Sequence, residues 1–374
     1  MRPVWAEINL KNIVHNLGEV RRLVGSGVRV MAVVKANAYG HGAVEVSREL
    51  DKAGADSFGV AIMAEAEELR RAGLTKPILV LGWTSEDDFL RALREEITLT
   101  IFCLEEAEKL SRISVKEKKK AVVHLKLDTG MGRLGWRPGE ESLQEIMRVL
   151  ELPGLDVEGI FTHLAKADEA NKTYTAQQIA DFREYVAKIE EKAGFHFRLK
   201  HAANSAAVID YPEAYFDLVR PGIMLYGLRP SSEMDLKRVD LREAFSLRAR
   251  IAHVKEVPAQ TAISYGGTYV TAEKSIIASL PLGYADGYSR LLSGQTEVIC
   301  GGQRVPIVGR ICMDQMMLNI TAVKGRVKKG ETVTLIGEEG NNFISVDELA
   351  RVLGTINYEI VCMISGRVPR VYQR

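Results

Sequence analysis

The chain has 374 residues, more than one hydrophobic core usually organises, so two domains are expected. Hydrophobic residues make up 46%, charged residues 26%, and the formal net charge is +1. That balance excludes a nucleic-acid footprint and a strongly acidic or basic ligand field, so individual residues have to meet any charge on a substrate. The stretch Met1–Leu10 carries Trp5, Glu7 and Asn9 in place of an apolar signal core, and no run approaches the roughly 18 apolar residues of a membrane span. Cys103, Cys300, Cys312 and Cys362 are far apart and form no C-x-x-C pair, which reads as buried free thiols in a reducing cytoplasm.

In chain order, short β-branched runs alternate with longer amphipathic stretches. Strands are expected at Val28–Val34, Ser57–Ile62, Pro77–Gly82, Thr98–Phe102, Ala121–Leu127, Val157–Thr162, Phe197–Ala202 and Asp217–Tyr226. Helices are expected between them, for example at Gly42–Ala53, Ala64–Ala72, Glu86–Glu95, Leu104–Ser111, Ser142–Leu150 and Tyr174–Ala193, where apolar residues recur three and four apart. About eight strand–helix units in roughly 230 residues suit a (β/α)8 TIM-type barrel better than an open doubly wound sheet. After about residue 238 the runs Leu247–Val254, Ser275–Pro281, Glu297–Cys300, Gln303–Val308 and Thr332–Ile336 are short and punctuated by Gly or Pro. Those runs predict a mostly β domain, with one clear helix at Val346–Val352. The domains are therefore drawn at 1–237 and 238–374, with the boundary near Ser231–Leu241.

Barrel enzymes assemble their sites at the C-terminal ends of the strands. Those ends carry Lys35 with Asn37, Tyr39 and His41; Lys126, Asp128 and Arg133; His163; Asn204 and Ser205; and Arg220 with Gly222. A lysine capping a strand is often just a solvated end. At a barrel mouth, partial burial lowers its pKa and makes the amine a nucleophile toward carbonyls, for which a Schiff base with pyridoxal phosphate is one use. A phosphate cup is available from Ser205, the Tyr39 hydroxyl and the backbone N–H groups of Gly222 and Ile223.

Gly130-Met-Gly132-Arg-Leu-Gly135 matches G-x-G-x-x-G after a strand, but Pro138 and Gly139 follow where a Rossmann motif opens into a helix. Alternation along β-strand residues 122–128 puts His124, Lys126 and Asp128 on one face, toward the barrel interior. A buried Lys126 near Arg133 is costly unless neutralised, and a Lys126–Asp128 interaction is the plainer solution. No hydrolase elbow, P-loop or H-E-x-x-H stretch occurs, and the seven dispersed histidines suggest no metal site.

Ala32-Val-Val-Lys35-Ala-Asn-Ala-Tyr39-Gly-His-Gly42 resembles the pyridoxal-phosphate attachment segment of the alanine racemases. The resemblance continues through Lys126-Leu-Asp128-Thr-Gly-Met-Gly-Arg133, Thr162-His163, His201-Ala-Ala-Asn204-Ser205 and Val219-Arg220-Pro-Gly222-Ile223. In the second domain it includes Ser264-Tyr265, Gly283-Tyr284, Gly309-Arg310-Ile-Cys-Met313-Asp314 and Asn357-Tyr358-Glu359. It implies a barrel followed by a β domain, with the segment around Trp5 packed on the latter, in a head-to-tail homodimer whose sites use both subunits. Lys35 would hold pyridoxal 5'-phosphate; Tyr39, Ser205, Gly222, Ile223 and Tyr358 would hold its phosphate. Asn204 belongs to the same cofactor set, and Arg220 would meet the pyridine nitrogen with His163 beside it.

By the same resemblance, Lys35 and Tyr265 of the partner subunit are the two bases that racemisation requires, one on each face of the substrate Cα. A tyrosine ordinarily titrates near about 10, and a route through His163 toward Arg220 would help it. Arginine at the ring nitrogen stays protonated, so it gives the pyridine no full proton and disfavours transamination. Arg133 and the Met313 N–H would bind the substrate carboxylate. Lys126 resembles a position that is often carbamylated, which would turn a buried cation into an anion able to orient Arg133. Tyr284 and Tyr358 would narrow the entrance to favour a methyl side chain, with Arg310, Asp314 and Asp286 in structural or entrance-channel roles. The alternatives are a same-fold racemase for another amino acid, a single-barrel pyridoxal-phosphate-binding homeostasis protein, and a nicotinamide dehydrogenase. Whether D-alanine feeds peptidoglycan precursors or alanine is broken down stays open.

Overall fold

Strands buried on both faces need continuous apolar runs, and the first two-thirds of the chain supplies them. The computed structural model describes residues 2–374. Two units divide the chain, residues 12–38 with 43–242 and residues 2–11, 39–42 and 243–374. The strands used below are β1 (Val4–Asn9), β2 (Arg29–Val33), β3 (Ser57–Val60), β4 (Ile78–Val80), β5 (Thr98–Ile101), β6 (Ala121–Lys126), β7 (Leu155–Phe161), β8 (Leu199–His201), β9 (Leu218–Val219) and β10 (Phe245–Arg250).

In the first unit β2 to β9 form one eight-stranded parallel sheet in sequential order, with β9 returning to pair with β2. Two backbone hydrogen bonds tie the last gap, Asp217 N–H to the Lys200 carbonyl at 3.0 Å and Arg220 N–H to that of Ala203 at 2.9 Å. This is a (β/α)8 barrel. Every residue of β3, β4 and β5 is buried. The covering helices bury one stripe each: Ala43, Val46, Ser47 and Leu50 in Ala43–Lys52, and Phe89, Ala92 and Leu93 in Glu86–Arg94. Ser85 caps the latter through the Asp87 N–H, and three acidic residues in its first turn complement the helix dipole.

The second unit is mostly β. Its largest sheet runs His253–Val257, Ser275–Leu280, Met316–Asn319, Gln303–Val308, Glu297–Cys300, Thr332–Glu339, β10, β1, Arg370–Gln373. Neighbours are antiparallel except β1 with Arg370–Gln373, which is parallel. The sequence pattern needs correction in three places. Asp217–Tyr226 is not one strand, because only Leu218–Val219 pairs and Ile223–Tyr226 winds into a 3-10 turn after Pro221 and Gly222. Leu247–Val254 is broken at Ile251 and Ala252, giving β10 and a separate strand at His253–Val257. Only Cys300 among the thiols is buried; Cys103 and Cys312 are partly open and Cys362 is exposed. Among the described residues no helix is long and apolar enough to cross a membrane.

Candidate active site

Lys35 does not end its strand. Pairing in β2 stops at Val33, and Ala36, Asn37, Ala38 and Tyr39 then adopt φ of 52°, 55°, 52° and 51°. Four successive non-glycine residues in the left-handed region cost on the order of 1–2 kcal/mol each, so surrounding contacts must hold them. Glu65 does so with both carboxylate oxygens, accepting the Ala36 N–H at 2.7 Å and the Ala61 N–H at 2.7 Å. Asn37 accepts the Ala43 N–H at 2.8 Å. The half-buried Lys35 thus stands at the start of a tightly held turn at the barrel mouth. Nothing in the sequence advertises this turn, because its residues are not the glycines that usually take such angles.

Lys126 ends β6 and is 4% exposed. It donates to the Leu127 carbonyl and lies 5.3 Å from the centroid of the Phe161 ring. Burial, then Arg220, lowers its pKa to about 7, with Asp128 acting in the opposite sense. Asp128 is occupied elsewhere. Its Oδ1 accepts the N–H groups of Gly130, Met131 and Gly132 at 3.0, 2.8 and 3.0 Å. Burial alone would raise this carboxyl, but the N–H groups of Gly132 and Gly130 and the charge of Lys126 hold it below its ordinary range.

The same loop explains the glycines of the G-x-G-x-x-G stretch. A Cβ on Gly135 would sit 2.7 Å from the Leu127 carbonyl carbon, and Gly135 has φ +121°. The chain then turns back to pair Trp136 with Leu127, and the helix opens only at Glu140. No strand–turn–helix phosphate motif forms. Arg133, on this loop, is exposed.

The last strands bring Asn204, Ser205, Arg220 and Gly222 together. Asn204 caps the short helix Ser205–Asp210 by accepting the Ala207 N–H at 3.0 Å, and its amide donates to the Leu164 carbonyl at 3.3 Å. Ser205 Oγ accepts the N–H groups of Gly222 at 2.8 Å and Met224 at 3.4 Å, which leaves its own proton to donate. The Gly222 N–H, expected to face a phosphate, is therefore held by Ser205, beside the buried Ile223.

Arg220 is buried, at 4% exposure. Its Nη1 donates to His201 Nδ1 at 2.8 Å; its Nη2 meets the carbonyls of Thr162 at 2.8 Å and Ala202 at 3.1 Å, and His163 Nδ1 at 3.4 Å. These acceptors engage both Nη atoms and leave the Nε–H for another. Burial, then Arg133, lowers the guanidinium to about 9, so it is still charged at neutral pH. His163 is held well below its ordinary pKa, first by burial and then by Arg220, Arg133, Lys126 and Lys35, and is therefore neutral. Sequence reasoning had not singled out His201 or Glu65 as working residues; the strand-end position of His201 was the available signal.

In the other unit the rings of Tyr39 and Tyr358 stand 6.1 Å apart at 53°. Tyr265 is 69% exposed on a 3-10 turn, Tyr265–Gly267, entered through Ser264 at φ +66°. Ser264 Oγ donates to the Arg310 carbonyl at 2.6 Å, tying that turn to the Arg310–Asp314 loop. The loop is clamped in turn, with Tyr284 N–H on the Cys312 carbonyl at 3.1 Å and Ala285 N–H on that of Met313 at 3.0 Å. A Cβ on Gly283 would lie 2.2 Å from the Cys312 oxygen, so close packing requires glycine there. Asp286 is fully buried, accepts the Gly283 N–H at 3.1 Å and pairs with Arg2 at 2.6 Å; Asp314 pairs with Arg367 at 2.7 Å. Asp286 is scaffold beneath an exposed edge formed by Tyr265, Tyr284 and Met313.

Fold and mouth define a two-domain barrel protein of the enzyme type, with lysine, arginine and histidine side chains gathered at the C-terminal ends of its strands. Residues 8–230 match the profile of the alanine racemase N-terminal domain and residues 244–372 that of the C-terminal domain. An alanine racemase of Desulforamulus reducens is 52% identical over 99% of this chain and 99% of its own. The solved alanine racemase of Clostridium difficile superposes with a TM-score of 0.95 at 43% identity, covering 100% of this chain and 96% of its own. That of Bacillus anthracis, solved with bound L-Ala-P, gives 0.94 at 40% identity, covering 100% and 96%. The chain belongs to the alanine racemase family. The second-domain match removes the single-barrel homeostasis protein, and the loop at Gly130–Gly135 removes the dehydrogenase.

Proposed function

We propose that this protein interconverts L- and D-alanine in the cytoplasm as a homodimer, with pyridoxal phosphate held at Lys35. The observation that carries the reading is Arg220, a buried, charged donor at the barrel mouth where a carboxylate would mark a transaminase-type site.

The residues fit the cofactor. Lys35 offers an amine at the mouth, and Ser205 offers a hydroxyl proton beside the Gly222–Ile223 backbone. Arg220 has its Nε–H to give a ring nitrogen. Tyr39 and Tyr358 complete the phosphate set by family resemblance, and Asn204 fixes the Ser205 turn. Bound there, pyridoxal phosphate delocalises the charge left on Cα when its proton departs.

The chain's own residues supply the rest. Lys35 removes or returns a proton on one face of Cα, and Tyr265 of the partner subunit serves the other face. Arg220 can only donate, so the His163 nitrogen facing it, Nδ1, is the unprotonated one and Nε2 carries the hydrogen. That N–H supports a tyrosine oxygen that has lost its proton. Arg133 and the Met313 N–H bind the substrate carboxylate. At a pKa of about 7 much of Lys126 is neutral amine at physiological pH, the form that adds carbon dioxide to give a carbamate and a released proton. Tyr284, Arg310 and Asp314 line the entrance.

Complementation tests the reading. Lys35→Ala and Tyr265→Ala homodimers are each expected to lack racemase activity. Co-expressed, they should regain about a quarter of wild-type turnover, because half of the dimers carry one intact site of two. No recovery from such heterodimers would overturn the shared site. A colourless wild-type protein that does not racemise alanine would overturn the function.

A further inference from the structure

The barrel interior holds a polar run that none of the steps above uses. Arg220 Nη1 meets His201 Nδ1 at 2.8 Å, His201 Nε2 meets His124 Nδ1 at 2.8 Å, and His124 Nε2 meets Glu158 at 3.2 Å. His201 is 0% and His124 2% exposed. Glu158 opens onto a cavity of about 40 Å3 at the barrel floor, which is lined also by Arg29, Asp56, Ser57, Thr98 and Leu218 from the N-terminal ends of the strands. The run therefore crosses the barrel from mouth to floor.

We infer that Glu158 is the accepting end of a hydrogen-bonded chain, running through His124 and His201, that positions Arg220. The proposal rests on the reading of Arg220 as the group facing the cofactor ring. Its direction follows from donor chemistry. A guanidinium only donates, so His201 Nδ1 accepts and His201 Nε2 carries the hydrogen. His124 Nδ1 must then accept and His124 Nε2 donate, which requires an acceptor at Glu158. A carboxylate is acceptor-only, and one tautomer of each ring satisfies the whole run.

Two further features show that the space is built for it. The β6–β7 ladder shifts register between Val123 and His124, pairing His124 with Gly159. A Cβ on Gly159 would lie 2.8 Å from the His124 ring, so only glycine leaves room for the imidazole. Phe161 lies flat on His201, with centroids 4.7 Å apart and planes within 4°, which fixes the plane in which His201 receives Arg220. Supporting this, burial and then Arg220 hold His201 well below its ordinary pKa, so it is neutral. The Glu158 carboxyl is lowered, chiefly by the bond from His124 and against burial, with Arg198 adding to the effect.

The chain is a positioning device and not a proton conduit. Passing a proton along it would require Arg220 to give one up, and burial leaves that guanidinium charged below about pH 9. What the chain controls is the angle at which Arg220 presents its Nε–H. Glu158, His124 and His201 are positioning residues in this scheme.

Nitrogen-15 NMR of histidine-labelled holoprotein, repeated after cofactor removal, reads the tautomers directly. His124 and His201 are expected as neutral Nε2–H forms in both. Glu158→Leu should lose the fixed His124 tautomer and lower kcat by about 10-fold to 100-fold, the scale on which outer hydrogen-bonding partners of a functional group act. KM for alanine should hold within about twofold, because no substrate contact changes. Glu158→Gln keeps an acceptor oxygen and should restore both tautomer and kcat. Gly159→Ala should reproduce the Glu158→Leu signature without altering any member of the chain. Asp56→Asn, on the same floor, should lower stability and leave the histidine signals unchanged. A protonated or Nδ1–H His201 in the wild type, or Glu158→Leu with wild-type kcat and tautomers, would sink the proposal. Correct tautomers in a protein that binds no pyridoxal phosphate would instead sink the functional reading.

Discussion

The barrel mouth and the exposed edge of the C-terminal unit carry chemistry of opposite kinds. At the mouth, Arg220 and Lys126 are each 4% exposed, and carbonyls, histidines and a phenylalanine ring of the same unit surround them. At the edge, Tyr265 is 69%, Met313 53% and Tyr284 41% exposed, although the backbone beneath them is clamped by Gly283, Asp286 and Arg367. Rigid support under exposed apolar side chains suits the subunit contact proposed above. The mouth holds charge where water is scarce; the edge holds its tyrosines and methionine in the open on a fixed backbone. The two regions should therefore fail differently when mutated.

The largest effect is expected at Tyr265. Tyr265→Ala should cut proton abstraction from one alanine enantiomer by about 10^2-fold to 10^4-fold, the usual contribution of a positioned acid–base group. Exchange of the Cα hydrogen from the other enantiomer should persist, because the proposed mechanism gives that face to Lys35. Equal loss in both directions, followed by deuterium exchange, would break the contrast. Lys35→Ala should instead abolish the visible absorbance and the borohydride-trapped adduct together.

Lys126 probes the mouth by pH. Its pKa falls from the ordinary lysine value of 10.5 to about 7 on folding, with burial the main cause and Arg220 the next. Between those values the unfolded chain holds a proton that the folded one has lost, so stability rises as pH rises through the window. Below about pH 7 both states are protonated and the full cost of burying the cation remains. Lys126→Met removes that cost. In protein freed of carbon dioxide, where Lys126 is a free amine, the variant should gain more in thermal midpoint at pH 6 than at pH 10; with bicarbonate present it should be less active than the wild type. A uniform gain across pH would show that the ammonium is not the source. In the wild type, bicarbonate should add the mass of one carbon dioxide to the intact folded protein, and Lys126→Met should not take it up.

Much of the barrel was readable because buried parallel strands are written as apolar runs, and the polar residues interrupting the rim stood out against them. Lys35, Lys126, Arg220 and Ser205 were visible in that way. Alternation along β6 also put His124 on the inward face. It could not supply a partner, because Glu158 and His201 come from β7 and β8 and only the fold makes them neighbours. The short β9 misled for a related reason: Ile223–Tyr226 is fully buried, and burial without pairing looks the same in sequence as a strand. Tyr265 was the least legible, since nothing around a tyrosine in a glycine-rich turn marks it as a base, and its proposed role came from the family resemblance alone. The left-handed turn after Lys35 was invisible, because its cause lies in Glu65.

That turn gives the smallest expected effect and the sharpest separation of charge from geometry. Glu65 uses one carboxylate oxygen for the Ala36 N–H and the other for the Ala61 N–H. A glutamine has one acceptor oxygen, and its NH2 would face the second N–H, donor against donor. Glu65→Gln should therefore lose about as much as Glu65→Ala, on the order of 1 kcal/mol for a partly solvated hydrogen bond. Both should raise the pyridoxal-phosphate concentration needed for half-reconstitution by a few-fold, because the turn that aims Lys35 relaxes. If the carboxylate acted only as a negative charge near Lys35, Glu65→Asp would preserve function and Glu65→Gln would not. If two acceptors at fixed spacing matter, Glu65→Asp also fails, being one methylene too short to reach both N–H groups. Spectrophotometric titration of the apoprotein with cofactor, set beside urea unfolding of the same variants, decides between them.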